Sequence, residues 1–374
     1  MTALGNFPHY MLKEIYDQPR AVMDAIAHYL PPESQRQTLD GVRLSDDQVQ
    51  AIQKINIVAS GASRHAGMVG EFIFERMARV SVEVDFASQY CYRDPFTAAN
   101  ELTVLLSQSG TTKDTLLAQR EAKAKGAKTL AICNVKDAPI TLESDGNIYT
   151  HAGEEVSIAA TKSFTAQLVA LFALGVHLGH VRRTITAEET REHLRELMAL
   201  PEKVEAALTC NTQCNALAAA LKNFDTFMFL GRDISYPIAL EGALKLKETS
   251  YIHAEGYPTG EMKHGPNALV DEHLPVVMII TKDADASSAL RYEKSVALLD
   301  ELVKKGARVV VVCNQDDAQI KSLTKDVILI PQVSSYLSPV LEIIPLQLFA
   351  YHVAVMRGVD VDRPRNLSKS VITE

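Results

Sequence analysis

A chain of 374 residues exceeds the size at which one hydrophobic core keeps growing, so two domains are the natural expectation. Apolar residues make up 47% and charged residues 22%, the balance of a soluble globular protein, and a net charge of -8 argues against a general nucleic-acid binder, which carries a basic face. Five cysteines, an odd number with no disulfide framework, point to a reducing compartment, the cytoplasm.

In chain order, MTALGNFPHYMLKEIYDQPR has no apolar signal core, so export is not expected. Residues 1–45 read as a helical segment that packs on the first domain. INIVASGASRHAGMVGEFIFERM then reads as strand, glycine turn at Gly61 and helix, and TVLLSQSGTTKDTL as an apolar strand, a hydroxyl cluster and a helix start. EAKAKGAKTLAICN, ending at Asn134, adds a helix, a glycine stop and a β-branched strand. The apolar stretch 164–181 contains Gln167, His177 and His180 and reads as a buried helix rather than a membrane span. It closes a first domain at 46–183, and a charged helical linker follows at 184–214. Within that linker Cys210 and Cys214 have no matching Cys or His pair, so structural thiols are expected, with neither metal nor cofactor.

A second domain at 215–356 repeats the pattern. TFMFLGRDISYPIALEGALKLKE aligns Gly231 with Gly61, LVKKGARVVVVCN ends at Asn314 as its counterpart ends at Asn134, and a long apolar helix runs from Pro345 to Met356. Strands alternating with helices predict an α/β protein with a parallel, doubly wound sheet in each half. The final stretch 357–374, RGVDVDRPRNLSKSVITE, is too polar for core and too specific for a disordered tail.

The hydroxyls around Gly110 (Ser107, Ser109, Thr111, Thr112 and Thr115) admit two readings. They close a turn and cap a helix, or they join its free N–H groups in a phosphate site. The repeat favours phosphate: at the place of LLSQSGTT the second half has MIITKDAD, with one hydroxyl, Thr281, and no glycine. A cap that the fold required would recur. The second half has its own cluster, in which Glu241, Lys245 and Glu248 share one helix face. Gly256, Gly260 and Gly265 follow in a loop with His253 and His264. A surface salt-bridge stripe is the plain alternative, and a core histidine is the plain alternative for His253. Carboxylates beside a loop histidine suit proton transfer near neutral pH.

Together SQSGTT, ALEGALKLKE, YIHAE, GEMKHGP and DRPRNLSKSV resemble the sugar-isomerase (SIS) half of the glucosamine-6-phosphate synthase family, the glutamine:fructose-6-phosphate aminotransferases, over essentially the whole chain. The resemblance implies two tandem SIS domains of flavodoxin-like topology. It also implies a phosphate cradle of Ser107, Gln108, Ser109 and Thr112, with Gly61, Ser63, Ala160 and Ser368 as further sugar-phosphate contacts. By the same likeness Glu248 is the base between C1 and C2, Lys245 assists at the sugar oxygens, and His264 opens the ring from a partner subunit of a homodimer. Lys369 forms an imine with the ketose, helped by desolvation or by Arg363 and Arg365. Ser60 and Ala160 depart from the family's usual Cys and Ser. No glutaminase segment precedes this stretch of sequence, so it reads as the isomerase half of a longer protein or as a free-standing relative. The alternatives are a glucosamine-6-phosphate deaminase, the same chemistry reversed, and a non-catalytic sugar-phosphate sensor.

Overall fold

A computed structural model describes residues 3–30, 39–98 and 100–371. Helices α1 (Tyr10–Tyr16), α2 (Gln18–Tyr29) and α3 (Asp46–Ala51) precede β1 (Lys54–Ala59), α4 (Gly61–Met77), β2 (Ser81–Phe86), α5 (Ala87–Tyr90) and β3 (Glu101–Ser107). Next come α6 (Lys113–Ala124), β4 (Lys128–Cys133), α7 (Pro139–Glu143), β5 (Gly146–Tyr149) and α8 (Lys162–Val181). The chain continues through α9 (Ala187–Ala207), α10 (Asn211–Leu221), β6 (Thr226–Gly231), α11 (Tyr236–Ser250), β7 (His253–Pro258) and β8 (Val276–Ile280). It ends in α12 (Ala286–Lys304), β9 (Val309–Cys313), α13 (Ala318–Leu323), β10 (Val327–Leu329) and α14 (Ser338–Met356).

Two compact units result. The first takes Arg20–Glu155, Lys162–Ala199 and the tail from Ser368; the second takes the chain up to Pro19, Val156–Thr161 and Leu200–Leu367. Each holds one five-stranded parallel sheet, in the order β2-β1-β3-β4-β5 and β10-β9-β8-β6-β7. The inner strands β1, β3, β4, β6, β8 and β9 are largely apolar and buried because helices cover both faces. Val58, Leu105, Ala131 and Cys133 pack with Ala118 and Ala122 of α6 in the first unit. Met228, Met278, Val309 and Val311 pack with Leu299 and Leu302 of α12 in the second. In both sheets the chain leaves its first strand to one side and returns on the other. The C-terminal ends of β1 and β3, and of β6 and β8, are therefore the switch points where such sheets bind ligands.

The structure corrects several boundaries. The N-terminal helices do not both belong to the first unit: α1 packs on α14, its Tyr10 and Met11 N–H groups donating to the Asp362 carboxylate at 2.9 and 2.8 Å. That bond caps a helix whose own N-cap, His9, supplies no side-chain acceptor, and it gives the polar tail a structural purpose. α2 packs on the first unit, where the Tyr29 hydroxyl donates to the Tyr149 carbonyl at 2.7 Å, and so do the turn Asp40–Val42 and α3. The tail is divided likewise, up to Leu367 with the second unit and from Ser368 with the first. α14 starts at Ser338 and carries Pro345 inside it; burial of Ile343, Ile344 and Leu346 outweighs the lost hydrogen bond. α8 and α14 are long and apolar enough to cross a membrane, but 83% of each is buried as core helix.

Strand β7 is also a correction, since residues 253–258 read as loop in the sequence. His253 on it is exposed and lies 3.7 Å from Glu255, so neither the loop nor the core-histidine expectation holds for it. Finally, Gly231 is not the counterpart of Gly61. Counted from the first residues of β1 and β6, Gly61 falls opposite Asp233, and both are left-handed, at φ 54 and 58°. The sequence match slipped because glycine aligned with glycine, whereas the fold required only a positive φ that Asp tolerates.

Candidate functional site

At the β1/β3 switch point of the first unit two helices begin. α4 starts at left-handed Gly61 after Ser60, whose side chain does not cap it, and Ser63 accepts a hydrogen bond from Gln167 at 2.9 Å. The loop from β3 into α6 carries the hydroxyls. Ser107 Oγ accepts the Gly110 N–H at 3.0 Å, and Ser109 Oγ accepts the Thr111 N–H and hydroxyl at 3.3 and 3.0 Å. Gly110 is required twice over: its φ is 68°, and a Cβ there would lie 2.5 Å from Ala138 Cβ. Thr115 turns into the core and leaves the cluster.

The turn-closing reading is therefore correct for the oxygens of Ser107 and Ser109, but not for their protons. Among the described residues the Ser109 hydroxyl proton has no acceptor. Ser107 and Thr112, 3.5 Å apart, can share only one bond between them. Thr112 stands at the N-cap of α6 yet makes no side-chain cap. In the second unit the matching N-cap is Asp285, which does cap, accepting from the Ser287 N–H at 2.6 Å. The position that the fold uses for capping in one unit carries a hydroxyl that does not cap in the other, beside a helix N-terminus that favours anions.

The tail enters this same unit. The Val371 carbonyl accepts the first N–H of α6, that of Lys113, at 3.1 Å, and Lys369 Nζ lies 2.5 Å from Glu155 Oε2. Ser368 is exposed and donates to the Ser370 carbonyl at 3.2 Å. Gln108 and Glu155 line one cleft of about 540 Å³ with Asp24, His28, Asn134 and His151. The His28 and His151 rings stack at 3.5 Å, and burial, then the charge of His28, pushes His151 down to about 4. Glu155 was not legible as a functional residue in the sequence: nothing in EEVSIAATKSF distinguishes it from Glu154. Ala160 is half-buried in a segment of the second unit.

In the second unit Glu241, Lys245 and Glu248 do share a face of α11, but it is not a surface stripe. Glu241 and Lys245 have no exposed side-chain surface, and Lys245 Nζ lies 3.2 Å from Glu241 and 2.6 Å from Glu248. Burial opposes the Lys245 charge, yet the two carboxylates outweigh it and push the ammonium above the usual lysine range. Glu248 alone of the three reaches solvent, at 22% exposure. His264 ends the 3-10 turn Thr259–His264, exposed, before Gly265 at φ 139°.

The β6/β8 switch point is filled from within. Asp233, in the place of Gly61, pairs with buried Arg291 at 3.1 Å, and the guanidinium also donates to Ser288 and Ser335. Thr281 and Ser235 donate to Glu342 at 2.8 and 3.0 Å. Glu342 is fully buried, and desolvation raises its carboxyl above the usual range. A carboxyl raised on folding stabilises the acid form, so its contribution is present below the ordinary carboxylate pKa of about 4.3 and is lost as pH rises toward the folded value. Glu342→Gln should therefore melt close to wild type at pH 4 and above it at pH 8. Parallel melting curves across that range would contradict this.

Residues 50–177 and 220–357 each match the SIS domain family. The chain belongs to that family. Its SIS pair is 46% identical over 370 residues to a glutamine–fructose-6-phosphate aminotransferase (isomerizing) of Chlorobaculum tepidum, covering 99% of this chain and 59% of the relative. It is 44% identical to the protein of the same name from Thermus thermophilus, covering 99% and 60%. The chain thus spans about three fifths of the length of these curated relatives. Among solved structures, the C-terminal domain of glucosamine-fructose-6-phosphate aminotransferase from Francisella tularensis superposes with a TM-score of 0.90 at 36% identity, covering 97% of this chain and all of that one. Two SIS repeats, each a five-stranded parallel sheet flanked by helices, are what the resemblance implied.

Proposed function

We propose that this chain converts fructose 6-phosphate to glucosamine 6-phosphate, by ketose–aldose isomerisation and amination. The observation that carries the reading is the hydroxyl cluster of Ser107, Ser109 and Thr112 at the β1/β3 switch point, in which one proton at most is spent between Ser107 and Thr112, in the same unit as Lys369. Those residues and Gln108 hold the phosphate, beside Ser63. Lys369 forms the imine at C2 and Glu248 carries the proton between C1 and C2; Lys245, expected at the sugar oxygens, has no exposed surface and acts instead by holding Glu248. His264 opens the ring from a partner subunit of a homodimer, and ammonia comes from a glutaminase domain or subunit. The five free thiols suit a reducing cytoplasm.

The direct test incubates the chain with fructose 6-phosphate, with and without ammonium, and with glucosamine 6-phosphate alone. Aminated product from the first mixture is expected. Deamination alone would assign the reverse reaction, and no turnover in any mixture would leave a sensor.

Two variants probe the details. A hydroxyl donating to phosphate is worth roughly 1.5 to 3 kcal/mol, so Thr112→Val should weaken hexose-phosphate binding about tenfold or more. Thr281→Val should leave it nearly unchanged, since that hydroxyl is spent on Glu342. Equal losses by calorimetry would refute the asymmetry. For the shared site, mixing inactive His264→Ala and Glu248→Ala chains should restore activity in mixed dimers. No recovery, with subunit exchange demonstrated, would assign His264 to its own subunit.

A further inference from the structure

Lys369 is to act as a nucleophile, and an ammonium has no lone pair with which to do so. The expectation from sequence was desolvation or nearby positive charge. What the first unit provides is a carboxylate: Glu155 Oε2 at 2.5 Å from Nζ, with no exposed side-chain surface of its own. Glu155 is fixed independently of the lysine. The Ser163 N–H donates to Oε1 at 3.1 Å and the Ser163 hydroxyl to Oε2 at 2.7 Å. Ser163 lies in the first turn of the 20-residue α8, whose N-terminus favours negative charge. The tail, for its part, is pinned by the Val371 carbonyl on α6. Between these anchors Nζ sits beside Glu155, a residue that lines the same cleft as Gln108, with Asp24, His28, His151 and Glu154 as the cleft's other charged or titratable groups.

We propose that Glu155 is the positioning residue and proton acceptor of Lys369, holding its nitrogen at the cleft and taking its proton as it attacks the ketose carbonyl. This rests on the imine role assigned to Lys369 above. Glu155 takes one proton from the ammonium, and the amine lone pair forms the N–C2 bond as the C=O electron pair moves to oxygen. A proton then passes from nitrogen to that oxygen. Glu155 returns its proton to the carbinolamine hydroxyl, which leaves as water, and the nitrogen lone pair closes the N=C2 iminium. The three ammonium hydrogens end as one on the iminium and two in water, and Glu155 ends as a carboxylate.

The experiment follows covalent capture of fructose 6-phosphate at Lys369 by borohydride from pH 6 to 10, with phosphate binding measured in parallel by calorimetry. Wild type should trap sugar across the range. Glu155→Gln should bind the sugar phosphate normally, trap it at least tenfold more slowly at pH 7, and recover as the pH approaches 10; Glu155→Asp should regain most of the neutral-pH rate. Should the Gln variant not fold, Glu155→Ala with and without added formate carries the test, the small carboxylate being expected to restore trapping. A Gln variant with the wild-type rate and pH profile, equal deficits in Gln and Asp, or no response to formate would each overturn the proposal. Absence of trapping at Lys369 in wild type would instead overturn the imine reading.

Discussion

Replacing Glu248 by glutamine should lower the isomerisation rate at least a hundredfold while leaving KM for fructose 6-phosphate within a few fold. A positioned general base contributes about 10²–10⁴ to a proton transfer, and an amide of the same shape removes the base without opening a cavity. KM should hold because the hydroxyls assigned to the phosphate lie at Ser107, Ser109 and Thr112, on another unit of the chain. Solvent deuterium uptake at C1 and C2, followed by proton NMR in heavy water, reads the step itself. Borohydride capture at Lys369 should persist in this variant, since the imine forms before the proton moves. A rate within threefold of wild type would remove Glu248 from the chemistry.

Lys245→Met should destabilise the protein by roughly 3–5 kcal/mol, the cost of removing one partner from a buried ion pair. The methionine fills the same space, so the loss is electrostatic: Glu241, with no exposed surface, and Glu248 lose the ammonium 3.2 and 2.6 Å away. The raised Lys245 value makes the contribution complete below the unfolded lysine pKa of about 10.4 and lost only as pH rises through the folded value. In the variant the orphaned carboxylates are raised by burial, so the deficit in urea unfolding should be largest near pH 9 and shrink toward pH 6 as they take up protons. Adding Glu241→Gln to Lys245→Met should recover part of it. A loss below 1 kcal/mol would mean that the group is wet rather than buried.

Much of this protein is determined locally and was legible without coordinates. Alternating β-branched runs and amphipathic helices, written twice, specify two doubly wound sheets because each pattern has one way to bury its apolar face. The cluster around Gly110 stood out for a related reason: a glycine in a left-handed turn between strand and helix is a local necessity, and the second half shows that the fold does not require the hydroxyls around it. Helix spacing alone put Glu241, Lys245 and Glu248 on one face. Which way that face points is a tertiary matter, and the same three residues on an outward face would be the surface pair they first suggest. Tertiary structure also decided that α1 is capped by Asp362, far away in sequence, that Pro345 lies inside a helix, and that Asp233 takes the place of Gly61. The partner of Lys369 belongs with these. Glu155 and Lys369 are 214 residues apart, more than half of the chain, and no local pattern marks either for the other. A 2.5 Å contact, made where the tail returns to the first unit, joins them.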